Sequence, residues 1–129
     1  MKKLIILPLF LITIFCEAQS RIIGKPIKVG NFNYEVAQFD FPNKMTFAQA
    51  TNACEALGKG WRLPTKQELK TLFNKKDKIG GFKGSLYWSS WGYSENKAWN
   101  MVFEKGKYYG RQGVSKRDSK LSVRAVKNF

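Results

Sequence analysis

The chain has 129 residues, with 23 Lys and Arg against 9 Asp and Glu, no His, and a net charge of +14. Without histidine there is no Ser-His-Asp or Cys-His nucleophile activation and none of the usual zinc ligand sets. The scattered carboxylates argue against a strong calcium cage, and the length suits one domain with one core.

Lys2 and Lys3 precede an apolar run from Leu4 to Phe15, and Cys16 and Ala18 stand three and one positions before Gln19. That layout predicts a secretory signal peptide over residues 1–18, cleaved after Ala18. The run is short of the roughly 20 residues that span a bilayer. A lipid-anchored Cys16 is the competing layout, but Phe15 stands where lipoprotein processing generally wants a small residue. Cleavage removes Lys2, Lys3 and Glu17, leaving 111 residues with 21 basic and 8 acidic side chains, a net of +13, and no transmembrane anchor. Such a balance attracts anionic partners through a field that salt screens. In an exported protein those partners are acidic polysaccharide, anionic envelope or host glycosaminoglycan rather than nucleic acid. Plain solubility is the competing reading, since the lysines are spread along the chain.

Cys54 is then the lone thiol, with no intrachain partner. Pro26–Gly30 and Phe32–Phe41 read as extended segments, broken by Pro42-Asn43-Lys44. Thr46 and Gln49 form a capping box, and Phe47, Ala50, Cys54 and Leu57 recur at helical spacing until Gly58 ends the helix. This face makes Cys54 a small buried hydrophobe rather than a reactive thiol. Thr65 and Glu68 open a second helix, with Leu69, Leu72 and Phe73 as its buried stripe. Lys75–Lys78 reads as a charged loop and Gly80-Gly81 as a turn.

Leu86–Ser90 is predicted as an aromatic strand and Trp91–Lys97 as a loop carrying two exposed aromatics, Trp91 and Tyr93. Ala98–Phe103 alternates, with Trp99, Met101 and Phe103 on one face. Glu104–Lys107 is a hairpin turn, Tyr108–Gln112 the returning strand, and Leu121–Lys127 the last strand. Alternation would set Lys107, Tyr109 and Arg111 on one side of the return. The sum is an α+β domain, two helices followed by a small antiparallel sheet.

The pieces "ACEALGKGWRLPTKQEL" (Ala53–Leu69), "YWSS" (Tyr87–Ser90), "AWNMVF" (Ala98–Phe103) and "SVRAVK" (Ser122–Lys127) occur in one order. That order resembles the Lcl C-terminal domain family of exported bacterial proteins, itself similar to the formylglycine-generating-enzyme branch of the C-type-lectin-like folds. The resemblance spans about Ile27 to the end. It implies a domain whose termini approach in the sheet, with long loops offering a ligand surface, and a namesake adhesin linked to sulfated glycosaminoglycans. It also implies a partner for Cys54 in the last strand, where this chain has Ala125. The enzyme relatives use a cysteine pair that is missing here. Calcium-binding lectins carry Trp-Asn-Asp where this chain has Trp99-Asn100-Met101, which disfavours metal-dependent sugar binding. Within "WRLPT", Trp61 and Leu63 are expected in the core and Pro64-Thr65 at the helix entry. Arg62 is expected in a structural pairing more than at a ligand.

These readings predict an exported, non-catalytic, cofactor-free module, periplasmic, cell-surface or secreted, that binds anionic glycans or envelope polymers. Lys105, Lys107, Arg111, Lys116, Arg117 and Lys120 are the candidate cations, with Tyr109, Trp91 and Tyr93 as candidate sugar-packing rings. The alternative is a protein-interaction or structural envelope module that grips a partner through the loop aromatics.

Overall fold

Two capping boxes position the helices, and both are formed as their sequences require. The computed structural model describes residues 22–129; the signal peptide expected over residues 1–18 lies outside them. Helix α1 (Phe47–Ala56) begins where the Thr46 hydroxyl accepts the Gln49 N–H and the Gln49 side chain accepts the Thr46 N–H. Helix α2 (Lys66–Asn74) repeats the arrangement with Thr65 and Glu68. Each box satisfies two amides that have no partner within the helix. Ala50 and Cys54 are the buried face of α1, and Leu69 and Leu72 that of α2. The expected charged loop at Lys75–Lys78 is instead a one-turn helix, α3 (Lys76–Ile79). Ile79 is buried in the core and holds the turn in place, while Lys78 is exposed and Lys76 is half-buried.

The strands form two antiparallel sheets rather than one. The first has the order β1-β2-β7-β3, from β1 (Ile27–Lys28), β2 (Tyr34–Val36), β7 (Val126–Asn128) and β3 (Trp61–Arg62). Val36 lies opposite Val126 and Arg62 on its other side, so the beginning and end of the described chain meet in this sheet. The second sheet is β4 (Leu86–Gly92), β5 (Lys97–Val102) and β6 (Gln112–Lys116). Trp91 is thus the penultimate residue of a strand, and a register shift between Trp88 and Gly92 bends β4 into its hairpin.

Two further boundaries differ from the alternation pattern. The expected return strand at Tyr108–Gln112 is a turn until Gln112. The Arg111 N–H donates to Tyr108 O, and Gly110 takes a φ of +78° that other residues resist. Leu121–Lys127 is regular strand only from Val126; before it the chain makes single bridges, Leu121 to Met45 and Ser122 to Tyr87. This segment threads between layers, so both of its faces are buried. Val123 and Ala125 join Cys54, Leu63 and Trp88 in one core cluster. Val126 joins Leu69, Leu72, Tyr87 and Met101 in the other.

Candidate functional site

The loop that shapes the main cleft is anchored by a buried ion pair. Arg124 is wholly buried in the closing segment, and its Nε donates to Asp40 Oδ1 at 2.7 Å. Its Nη1 donates to Ala37 O and Gly80 O, and Nη2 also donates to Gly80 O. The Tyr87 hydroxyl donates to the other carboxylate oxygen of Asp40 and accepts the Lys83 N–H. Burial first, and then the Asp40 charge, push the Tyr87 phenol far above its ordinary pKa, so it stays a donor. The Phe82 ring lies 4.0 Å from the Arg124 guanidinium and stacks on Phe103 at 4.8 Å. Gly81 has a φ of +75°, which favours glycine, and a Cβ there would also crowd Arg124 Nη2 at 3.2 Å. The loop from Gly80 to Gly84 therefore has a fixed pose. The sequence signal was a lone arginine amid small and apolar residues, Ser122-Val123-Arg124-Ala125-Val126, which propensity alone does not interpret.

Against that loop sits a cleft of about 650 Å³. Phe82, Phe103 and Tyr109 form its apolar wall, and Lys76, Lys83 and Lys105 line it with Asp77 and Glu104. Tyr109 leaves the return turn to meet Phe73 edge-on at 4.8 Å, and the Lys76 ammonium lies 4.4 Å from the Phe73 ring and 5.5 Å from Tyr109. Ring contacts of this kind hold an ammonium without neutralising it. Of the residues singled out from the sequence, Lys105 and Tyr109 meet here. Lys76 and Lys83 join them, although Lys76 reads as part of a solvated charge run. Their convergence depends on α3 and on the Arg124 anchor, neither of which shows as a local pattern.

The other candidates are dispersed. Lys107 is the last residue of the 104–107 turn, its ammonium 5.5 Å from the Tyr108 ring, and lines with Lys105 a second, smaller trough. Arg111 borders a groove with Gln67 and Lys70. Lys116 and Arg117 lie at the far end of β6 near Lys97. Arg117 is pinned there, donating to Lys97 O and Ser94 O with its guanidinium 5.0 Å from Phe47. Lys120 is exposed just before the closing segment. Trp91 and Tyr93 are exposed, and Tyr93 meets Trp99 edge-on. The Lys66 ammonium, 3.3 Å from the Trp99 ring centre, also reaches toward Trp91.

Arg62 has the structural role. It holds Glu68 through two hydrogen bonds, of 2.6 and 2.8 Å, and also binds Asn128. Burial pushes the Glu68 carboxyl up, but the Arg62 and Thr65 hydrogen bonds outweigh it and hold the pKa below the ordinary value. Leu63 and Pro64 are buried, and Trp61 packs against the first cluster. Cys54 is inaccessible and burial pushes its thiol up to about 12. Among the described residues no group of three or more Cys, Asp or Glu side chains is placed to hold a metal ion, and no helix is long and apolar enough to cross a membrane.

This arrangement, with first and last strands sharing one sheet and long connections around a second, is a C-type-lectin-like fold. It matches the crystal structure of EMS16, an antagonist of the collagen receptor integrin alpha2beta1, with a TM-score of 0.55. The match covers 78% of this chain and 96% of that chain at 14% identity. The chain belongs to the Lcl C-terminal domain family, whose model matches residues 19–127. No curated protein matches it in sequence.

Proposed function

We propose that this protein is an exported, non-catalytic binding module for anionic glycans or cell-envelope polymers. The observation that supports the reading is the cleft beside α3, where Lys76, Lys83 and Lys105, outnumbering Asp77 and Glu104, surround an aromatic wall of Phe82, Phe103 and Tyr109. Ammonium groups supply the field for carboxylate or sulfate, and aromatic faces accept the apolar side of a sugar ring. The overall charge of the chain draws such polymers in, and the predicted leader delivers the protein where they occur. The two carboxylates most engaged in the fold, Asp40 and Glu68, are both held by guanidinium groups, which leaves neither as a ready acid or base.

Retention of the purified protein on immobilised heparin, compared with a cation-exchange resin of matched charge density over a salt series, tests the reading. Elution from heparin at clearly higher salt than from the resin is the expected result. Identical elution would reduce the charge to solubility.

A second reading, a protein-interaction module, is favoured by the exposure of Trp91 and Tyr93 beside Trp99. It requires binding that persists at high salt and fails on Trp91→Ala.

A further inference from the structure

The face of the second sheet that turns away from α2 is covered at one end only. Trp88 and Ala98 lie in the cluster that contains Ala50 and Cys54 of α1, whereas Leu86 and Val102 remain half-buried beside an open trough of about 380 Å³. Asn100 lies in its floor and is 2% exposed. Its Nδ2 donates to Ser115 Oγ at 2.6 Å, and its Oδ1 is buried without any hydrogen-bond partner. A buried amide oxygen without a partner bears its desolvation cost with nothing in return, so such an atom calls for an occupant.

Directly opposite Asn100 across the β5–β6 ladder is Gly113. Its backbone is not in the positive-φ region, so the conformation does not demand glycine, and glycine within a strand weakens it. With no side chain on Gly113, only backbone stands over the amide: a Cβ there would lie 3.4 Å from Asn100 Oδ1. The unpartnered oxygen and the glycine are separate observations that point to one place, where a polar group from outside approaches the sheet.

The surroundings narrow the chemistry of that group. Leu86, Val102 and the exposed Tyr108 ring present apolar surface, and Lys105 and Lys107 stand on the rim. Because Lys105 and Glu104 also line the larger cleft, the 104–107 turn separates two adjoining cavities. We infer that the trough is a pyranose subsite, in which a sugar hydroxyl bonds the buried Asn100 amide across Gly113 while the acidic substituents of the same chain meet Lys105 and Lys107. This rests on the anionic-glycan reading above. A hydroxyl both donates and accepts, so it serves the amide with either of its polar atoms facing the trough. An ordered water has the same dual chemistry and is the competing occupant.

The test is an NMR titration of the purified protein with a heparin-derived disaccharide, following the Asn100 side-chain amide, repeated on Gly113→Ala and Gly113→Val. Both replacements suit an extended backbone, and the added side chain would stand against the amide oxygen, so thermal stability is measured alongside. The expected result is a shifted Asn100 amide in the parent protein and an affinity loss of about threefold to tenfold in Gly113→Ala, the worth of one neutral hydrogen bond. Gly113→Val should lose at least as much. Long-chain heparin should still be retained by both variants, because the lysines are intact. An undisturbed amide with parental affinity in both variants would mean that water alone fills the site, overturning the subsite while leaving heparin retention and the wider reading in place. Parent protein that elutes from heparin and plain resin at the same salt would overturn that wider reading and the subsite with it.

Discussion

Arg62 and Arg124 show how differently one residue type is used. Arg62 is partly exposed and ties the start of α2 to β7 through Glu68 and Asn128. Since the Glu68 pKa is lowered in the folded protein, its contribution to stability is fully present above the unfolded carboxylate value of about 4.3 and is lost as pH falls through the folded one. Urea unfolding followed from neutral to acidic pH should show this loss, and Glu68→Gln should flatten that part of the profile. A profile unchanged by the substitution would remove Glu68 from the acid response. Arg124 has no exposure at all, and its removal would leave Asp40 charged and buried with only Tyr87 for company. Arg124→Met should therefore cost about 3–5 kcal/mol in urea unfolding, with much of the loss recovered when Asp40→Asn is added. A single variant within 1 kcal/mol of the parent, on the order of an exposed pair, would contradict the anchor role. The Arg62 pairing followed from residues close in sequence. The Arg124 pairing did not, since 84 positions separate it from Asp40.

At the scale of the element, α1 and α2 were readable because their signals are local, whereas the uncapped α3 was not. Thr46 with Gln49 and Thr65 with Glu68 lie within one turn of chain, and no distant contact is needed to form either box. Strand ends were less readable, because pairing partners decide them. Tyr108-Tyr109 has strand-like composition, yet the turn closed by Gly110 directs Tyr109 onto Phe73 in α2. The connection between α1 and the closing segment has a prediction of its own. Cys54 and Ala125 lie in the same core cluster, both without exposure, which brings the thiol near the closing segment. Ala125→Cys should form an intrachain disulfide in oxidising buffer, read as loss of both free thiols after unfolding. Closing a loop of that length is worth about 4 kcal/mol on chain-entropy grounds, so thermal stability should rise relative to the reduced protein. Two titratable thiols after oxidation would show that packing separates the pair.

For the whole molecule the question is whether charge acts by amount or by place. Lys76, Lys83 and Lys105 converge on one cleft, while Lys44, Lys97 and Lys116 are exposed elsewhere. Replacing either set by alanine removes the same charge. The cleft triple should lose the preference for heparin over plain resin, and the remote triple should lower retention on both supports alike. Equal behaviour of the two triples would make the binding a property of net charge. Arg111, Lys116 and Arg117 lie on surfaces apart from that cleft, so the basic stretch after Glu104 is divided among several surfaces.

Both capped helices, the burial of Cys54, the β4–β5 hairpin and the α+β class were legible in the chain, because each depends on residues within a turn or a hairpin of one another; β6 was not, since its residues carry no aromatic or alternating signal. Only the folded chain shows that Arg124 reaches Asp40, that Lys76 and Lys83 join Lys105, and that Gly113 lies opposite the buried Asn100 amide. Those relations depend on separate segments being brought together by the core. Periodicity records which way a side chain points along its own element, and carries no record of what the rest of the chain places in front of it.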